Sequence, residues 1–169
     1  GVWQDKHKVV DNSFSGSNFT RYPHFFKRIE ENNPNSRTVS VSQWHPINDQ
    51  IANGFADIAR NTADSSVDVK NKAVAELGIE DLTALFVHFD DVDHAGHGSG
   101  FSPDNSNYIN AIETVDAAIG ELINATKNRP NYTNEDWIII VSTDHGGIGT
   151  SHGGVTDEER TIFMIVSGD

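Results

Sequence analysis

No cysteine occurs in the 169 residues, which excludes disulfides and thiolate metal sites. Basic residues are scarce: 12 Lys and Arg stand against 25 Asp and Glu, a net charge of −13. Such a chain has no basic stripe for a nucleic-acid backbone and no attraction to an anionic membrane surface. The acidity reads as a solubility feature. No apolar run approaches the length of a membrane span. The start, Gly1-Val2-Trp3-Gln4-Asp5, has no initiating methionine and no signal-peptide apolar core. The other end stops at Asp169, just after an apolar run. Both ends look cut, so the expectation is one partial domain over residues 1–169, truncated at each end. The absence of cysteine is compatible with a periplasmic or secreted location, and that is the expected one. Sequons at Asn18, Asn124 and Asn131 carry little weight, since such triplets are frequent by chance.

Two apolar, β-branched runs are present, Thr83-Ala84-Leu85-Phe86-Val87 and Trp137-Ile138-Ile139-Ile140-Val141. They read as buried strands of a parallel sheet. The first is followed by Asp93-His94-Ala95-Gly96-His97. The second is followed by Asp144-His145-Gly146-Gly147 and then His152-Gly153-Gly154. Ligands of open α/β sheets bind where strands end. Asp oxygen and neutral imidazole nitrogen suit zinc and similar divalent ions. The pattern points to a metal-dependent hydrolase.

Each cluster also has a bland reading. Asp93 and His97 are four apart and share a face if the segment is helical. Asp90 and His94 have the same spacing, so spacing alone leaves the register open, and a polar loop holding two histidines is an ordinary thing. Asp144 and His145 are adjacent, and on extended backbone adjacent side chains point opposite ways. That suits two neighbouring metals better than one, whereas the bland reading is an Asp cap before a glycine turn. All three segments together at strand ends favour a site. Two metals a few ångströms apart clamp the entering and leaving oxygens of a transferred phosphoryl group. No nucleophile stands out: Ser99, Ser102, Thr143, Thr150 and Ser151 lie near the clusters, none in a G-x-S-x-G elbow.

Along the chain, Tyr22-Pro23 opens a helix carrying Phe25, Phe26 and Ile29, ended by Asn32-Asn33-Pro34. Residues 38–41 form a strand, followed by a loop at Trp44-His45-Pro46. Helices are predicted near 49–60 and 66–78, with Gly78 closing the second. A strand over 82–89 leads to the first cluster, and the glycine-rich stretch 96–100 reads as a flexible loop. Pro103-Asp104 begins the longest helix, with a stripe of Tyr108, Ile112, Val115, Ile119, Leu122 and Ile123. Strands at 137–142 and 161–166 complete an alternation that means α/β with mostly parallel strands.

These residues resemble the type I phosphodiesterase/nucleotide pyrophosphatase branch of the alkaline phosphatase superfamily. Val92-Asp93-His94-Ala95-Gly96-His97 is similar to that family's P-D-x-x-G-H, with Val for Pro. Val115-Asp116-Ala117-Ala118-Ile119-Gly120-Glu121-Leu122 matches its V-D-x-x-I/L-G-x-L. Ser142-Thr143-Asp144-His145-Gly146 fits S-D-H-G with one inserted Thr, and Ser151-His152-Gly153 fits its last H-G string. The segment from Gly1 to Ser13 resembles T-G-L-Y-P-E-x-H-G-I-x-x-N-S less closely, with Lys8 where the family has Gly.

The resemblance implies an alkaline-phosphatase-like three-layer sandwich, a mostly parallel central sheet flanked by helices. It implies that Asp93, His97 and His152 hold one divalent metal and that Asp144 and His145 contribute to a second. Zinc is the first choice for both, with manganese as the alternative. Asn12 aligns with an Asn whose amide donates to a phosphoryl oxygen. The nucleophilic Thr or Ser, and a further Asp ligand, are expected upstream of Gly1. Trp44 and Pro46 resemble a W-P stretch near the family's substrate pocket, against ordinary packing for Trp44. The short spacing from His145 to His152 suggests a compact, bacterial-type member. The implied activity is hydrolysis of a small phosphate ester or nucleotide. The alternatives are a phosphomonoesterase or sulfatase of the same superfamily, or a non-catalytic metal-binding fragment.

Overall fold

Strand β1 (Arg37–Ser42) is the centre of the first of two compact units, Gly1–Phe89 and Asp90–Asp169. The computed structural model describes residues 2–62 and 65–168, so Gly1, at the head of the N-terminal motif, lies outside the described residues. β1 pairs in parallel with β2 (Ile58–Asn61) on one side and β3 (Leu82–His88) on the other, giving the order β2-β1-β3. Side chains alternate across a strand, so Arg37, Val39 and Val41 share one face and Thr38, Ser40 and Ser42 the other. Helix α3 (Ser66–Leu77) covers the valine face, burying Val69, Ala73 and Leu77. There Glu76 bonds both Arg37 and Arg60.

Helix α2 (Phe25–Asn32) and a single π-turn at Ile47–Ile51 serve the hydroxyl face. The Thr38 hydroxyl donates to Glu30 at 2.7 Å, Ser40 to Asn48 at 2.5 Å, and Ser42 to the Trp44 carbonyl at 2.7 Å. Buried hydroxyls are tolerable because each has a partner. The sheet is therefore flanked on both faces, as expected of an α/β fold.

Several local expectations need correction. The helix predicted near 49–60 is the π-turn followed by β2, whose Ile58 alone is part-buried. Gly78 does cap α3, but with a right-handed φ of −72°, so no left-handed turn is involved. Lys8, standing where the resembled motif has glycine, ends the short helix α1 (Gln4–His7) at φ 63°, the left-handed region that favours glycine. Trp44 sits 6.1 Å from the Phe14 ring, in aromatic packing.

The second unit opens with α4 (Asp91–Ser99), where the sequence suggests a flexible glycine loop after residue 96. Its long helix α5 (Ser106–Lys127) starts under an Asn105 cap that accepts from the amides of Asn107 and Tyr108. Strand β4 (Ile138–Ser142) pairs antiparallel with β5 (Met164–Gly168), not in parallel as the apolar run suggests. Ile138 and Ile140 are 68% and 57% exposed, while Ile139 and Val141 on the opposite face are part-buried. A continuous β-branched run specifies a strand but not which faces are covered. Between α5 and β4, Arg129 makes a two-pronged bond to Glu135 at 2.8 Å per arm and lies 5.0 Å from the Trp137 ring centre. Trp137 donates its indole N–H to the same carboxylate at 2.7 Å.

Candidate metal centre

Helix geometry fixes the first part of the site. One turn along α4 brings Asp93 and His97 to the same face, Oδ2 to Nε2 at 3.3 Å. Asp90 and His94 form the parallel pair at 3.1 Å. The acidic side chains of Asp91 and Asp93 in the first turn suit the helix dipole. Glycine at 96 is required by a neighbour. A Cβ there would lie 2.2 Å from the Phe101 ring, and one at Gly147 would lie 2.4 Å from the same ring. Phe101 thus seats itself between α4 and the loop after β4, with its N–H bonded to the Gly149 carbonyl at 2.7 Å.

His152 completes the group. Its Nε2 lies 3.4 Å from Asp93 Oδ1, and one ligand atom from each of Asp93, His97 and His152 falls within 4.8 Å of the others. The shared register is that of Asp93 and His97, not of Asp90 and His94. Among the described residues Asp93 Oδ1 is buried without a hydrogen-bond partner, an unfavourable state for a carboxylate oxygen unless a cation completes it. The His97 Nδ1 faces the Thr150 carbonyl at 2.9 Å. A carbonyl only accepts, so Nδ1 carries a proton and Nε2 is the ring nitrogen turned to Asp93 and available as a ligand atom, the arrangement of a metal-binding histidine. Zinc–ligand bonds near 2.1 Å in a tetrahedron set neighbouring ligand atoms about 3.4 Å apart, which the two Asp–His distances match. The residues fit a divalent ion.

His145 stands beside this group. Its ring stacks on His152, centres 3.8 Å apart and 20° from parallel. Its Nδ1 is held by the Gly146 carbonyl at 2.8 Å, and its Nε2 lies 4.0 Å from Asp93 and 3.8 Å from Asp144. The Asp144 side chain is 78% exposed. Tyr108, whose hydroxyl is pushed above its ordinary pKa by burial and then by the Asp93 charge, packs edge-on to Phe101. Asn12 lies in the first unit, on an exposed turn where Asp11 caps Ser13 at 2.8 Å. Sequence reasoning missed Phe101 and Glu159, and noted Thr150 for its hydroxyl and not for the carbonyl that holds His97. For Glu159 a signal existed, since Thr156-x-x-Glu159 has capping-box spacing.

Helices on a parallel sheet and an Asp/His/His cluster define an α/β protein with a site suited to a divalent metal. The sequence matches the family model for type I phosphodiesterase/nucleotide pyrophosphatase over residues 2–162. The chain belongs to that family. Among solved structures, its fold is similar to that of murine ectonucleotide pyrophosphatase/phosphodiesterase 5, an inactive form of which was solved in complex with AMP. A second structure of the same murine protein matches equally; for each, the TM-score is 0.58 at 18% identity, covering 86% of this chain and 42% of the other. The chain thus spans less than half the length of the structures it matches, and the fold is the alkaline-phosphatase-like one. No curated protein matches the sequence significantly.

Proposed function

We infer that the protein is a metal-dependent phosphoric ester hydrolase of the phosphodiesterase/nucleotide pyrophosphatase type. The observation that carries this reading is the grouping of Asp93, His97 and His152 ligand atoms around a carboxylate whose Oδ1 is buried without a hydrogen-bond partner among the described residues. In this reading Asp93, His97 and His152 hold one divalent ion, and Asp144 with His145 contribute to a second. Zinc suits the donor set first, with manganese the alternative. Bound ions there would stabilise charge on phosphoryl oxygens and lower the pKa of a bound hydroxyl.

The chain's own residues prepare that chemistry. The Thr150 and Gly146 carbonyls hold the Nδ1 side of the His97 and His145 rings and so turn each Nε2 toward the Asp93 carboxylate as the ligand atom. Asn12 would donate its amide N–H to a phosphoryl oxygen, where such a donor stabilises developing charge. The nucleophile in this reading is a Thr or Ser upstream of Gly1, whose oxygen bonds phosphorus as the bond to the leaving alcohol breaks; water then cleaves the enzyme O–P bond, releasing the phosphate product and restoring the hydroxyl. A nucleotide substrate is supported by AMP in the similar murine fold. An extracytoplasmic setting is part of the same proposal.

The test is calorimetric zinc titration of the chain beside His97→Ala and His152→Ala, with hydrolysis of a p-nitrophenyl diester and monoester by a longer form carrying the upstream segment. The expected result is zinc binding that each substitution abolishes, with the diester preferred. Zinc binding unchanged in both variants would overturn the ligand assignment.

A further inference from the structure

Glu159 lies in the single-turn helix α6 (Asp157–Arg160) and is buried. Its carboxylate accepts from the Gly154 amide at 2.7 Å, from the Thr156 amide at 3.2 Å and from the Thr156 hydroxyl at 2.9 Å. Its own main-chain carbonyl accepts from the Gly146 amide at 2.9 Å. One residue therefore ties down both histidine loops: Gly146 directly follows His145, and Gly154 is two residues after His152. The loops leave room for nothing else. A Cβ on Gly154 would lie 2.4 Å from the Glu159 carboxylate, and one on Gly146 would lie 2.1 Å from the Glu158 carbonyl.

A cap does not need such an arrangement. A four-residue helix needs its N-terminal amides satisfied, which Thr156 does by accepting from Glu159 N–H at 3.3 Å. The bond to Gly154 lies outside the helix and serves the loop alone. The loops it joins bring His145 and His152 into their ring stack.

We propose that Glu159 is a positioning residue that locks the His145 and His152 loops together and so sets the affinity of the Asp93/His97/His152 group for its metal. This rests on the ligand assignment proposed above. An anionic carboxylate accepts from all three donors at once. A glutamine keeps the shape but turns an N–H₂ toward one of them, so one bond is lost. Partners that orient ligands in this indirect way commonly change metal affinity by about 10–100-fold.

The experiment compares the chain with Glu159→Gln, Glu158→Gln and His152→Ala, reading two quantities. The first is zinc affinity by calorimetry. The second is amide hydrogen exchange of Gly146 and Gly154 in metal-free protein, which requires no metal and no activity. Glu159→Gln is expected to weaken zinc binding about 10-fold or more, to speed exchange at Gly154 and to leave Gly146, held by a main-chain carbonyl, protected. Glu158→Gln is expected to match wild type in both. Because the exchange map also reports global unfolding, a variant that merely fails to fold shows loss of protection at β4 as well. In that event Thr156→Val, which removes one of the carboxylate's three bonds together with the hydroxyl's cap on the Glu159 amide, must weaken zinc binding in a folded protein, and unchanged zinc affinity there overturns the proposal. Wild-type zinc affinity in folded Glu159→Gln, with binding lost in His152→Ala, overturns the role of Glu159 and leaves the ligand assignment standing. Absence of zinc binding by the wild type overturns both.

Discussion

The first unit buries hydroxyls and the second exposes hydrocarbon. Thr38, Ser40 and Ser42 on β1 are fully buried, together with Val39 and Val41, whereas Ile138 and Ile140 on β4 and Met164, Ile165 and Val166 on β5 are all more than half exposed. Among the described residues, nine of the ten buried apolar side chains belong to the first unit, and Ala118 is the tenth. The first unit is held by a core. The second is held by polar ties at particular places: Arg129 with Glu135, and Glu159 with the histidine loops. Hydropathy along the chain would have ranked the two the other way, since β4 is its most apolar strand and β1 alternates with Ser and Thr. What decides burial is whether both faces have a covering element and whether each hydroxyl has a partner.

The largest test of this contrast is a pair of truncations. Phe26→Ala, at a site 2% exposed, is expected to cost about 3–5 kcal/mol, read from the shift in urea midpoint. Ile140→Ala, at a site 57% exposed, is expected to cost under about 1 kcal/mol. Equal losses would mean that β4 is covered in solution and would erase the contrast.

Glu76 comes next. Its side chain is 3% exposed between Arg37 and Arg60. Glu76→Ala leaves Arg37 with the exposed Asp81 carboxylate 3.7 Å away in place of its buried partner, an expected loss of about 3 kcal/mol. Burial pushes the Glu76 carboxyl upward, but the Arg37 and Arg60 bonds and charges outweigh it and hold the group below its ordinary 4.5. The folded state then binds fewer protons than the unfolded one. The stability contributed is complete above pH 4.5 and disappears as pH falls through the lower folded value. An acid titration followed by circular dichroism should show the wild type losing stability below that point and Glu76→Gln losing less. The smallest effect is at Lys8. Replacing it with Gly relieves a left-handed residue, an expected gain of about 1 kcal/mol, visible as a modest rise in thermal midpoint. No gain would mean that α1 contributes nothing to the stability of its unit.

Much of this was legible in the sequence, and the failures have physical causes. Helices with an apolar stripe, α2, α3 and α5, and the strands β1, β3 and β4 follow from periodicity and caps. β2 was not legible, because a four-residue edge strand with three exposed residues carries no pattern of its own and exists through the β1 ladder. α4 reads as a loop because of its glycines, yet Gly96 is there to admit the Phe101 ring, a requirement visible only in three dimensions. In the candidate site, residue types located Asp93, His97 and His152, but spacing could not choose between Asp93/His97 and Asp90/His94. The choice is made by His152, 55 positions after His97 in the chain. Glu159 was overlooked because a Glu in an acidic chain looks like solubility until its three donors are known.

The bare strand β5 has a practical consequence. Its Met164 is the only methionine in the protein and is 69% exposed. Peroxide converts an accessible thioether to the sulfoxide, adding one oxygen, and spares a covered one. A single mass measurement on the intact chain therefore reports, with no label and no mutation, whether anything has come to lie over that strand.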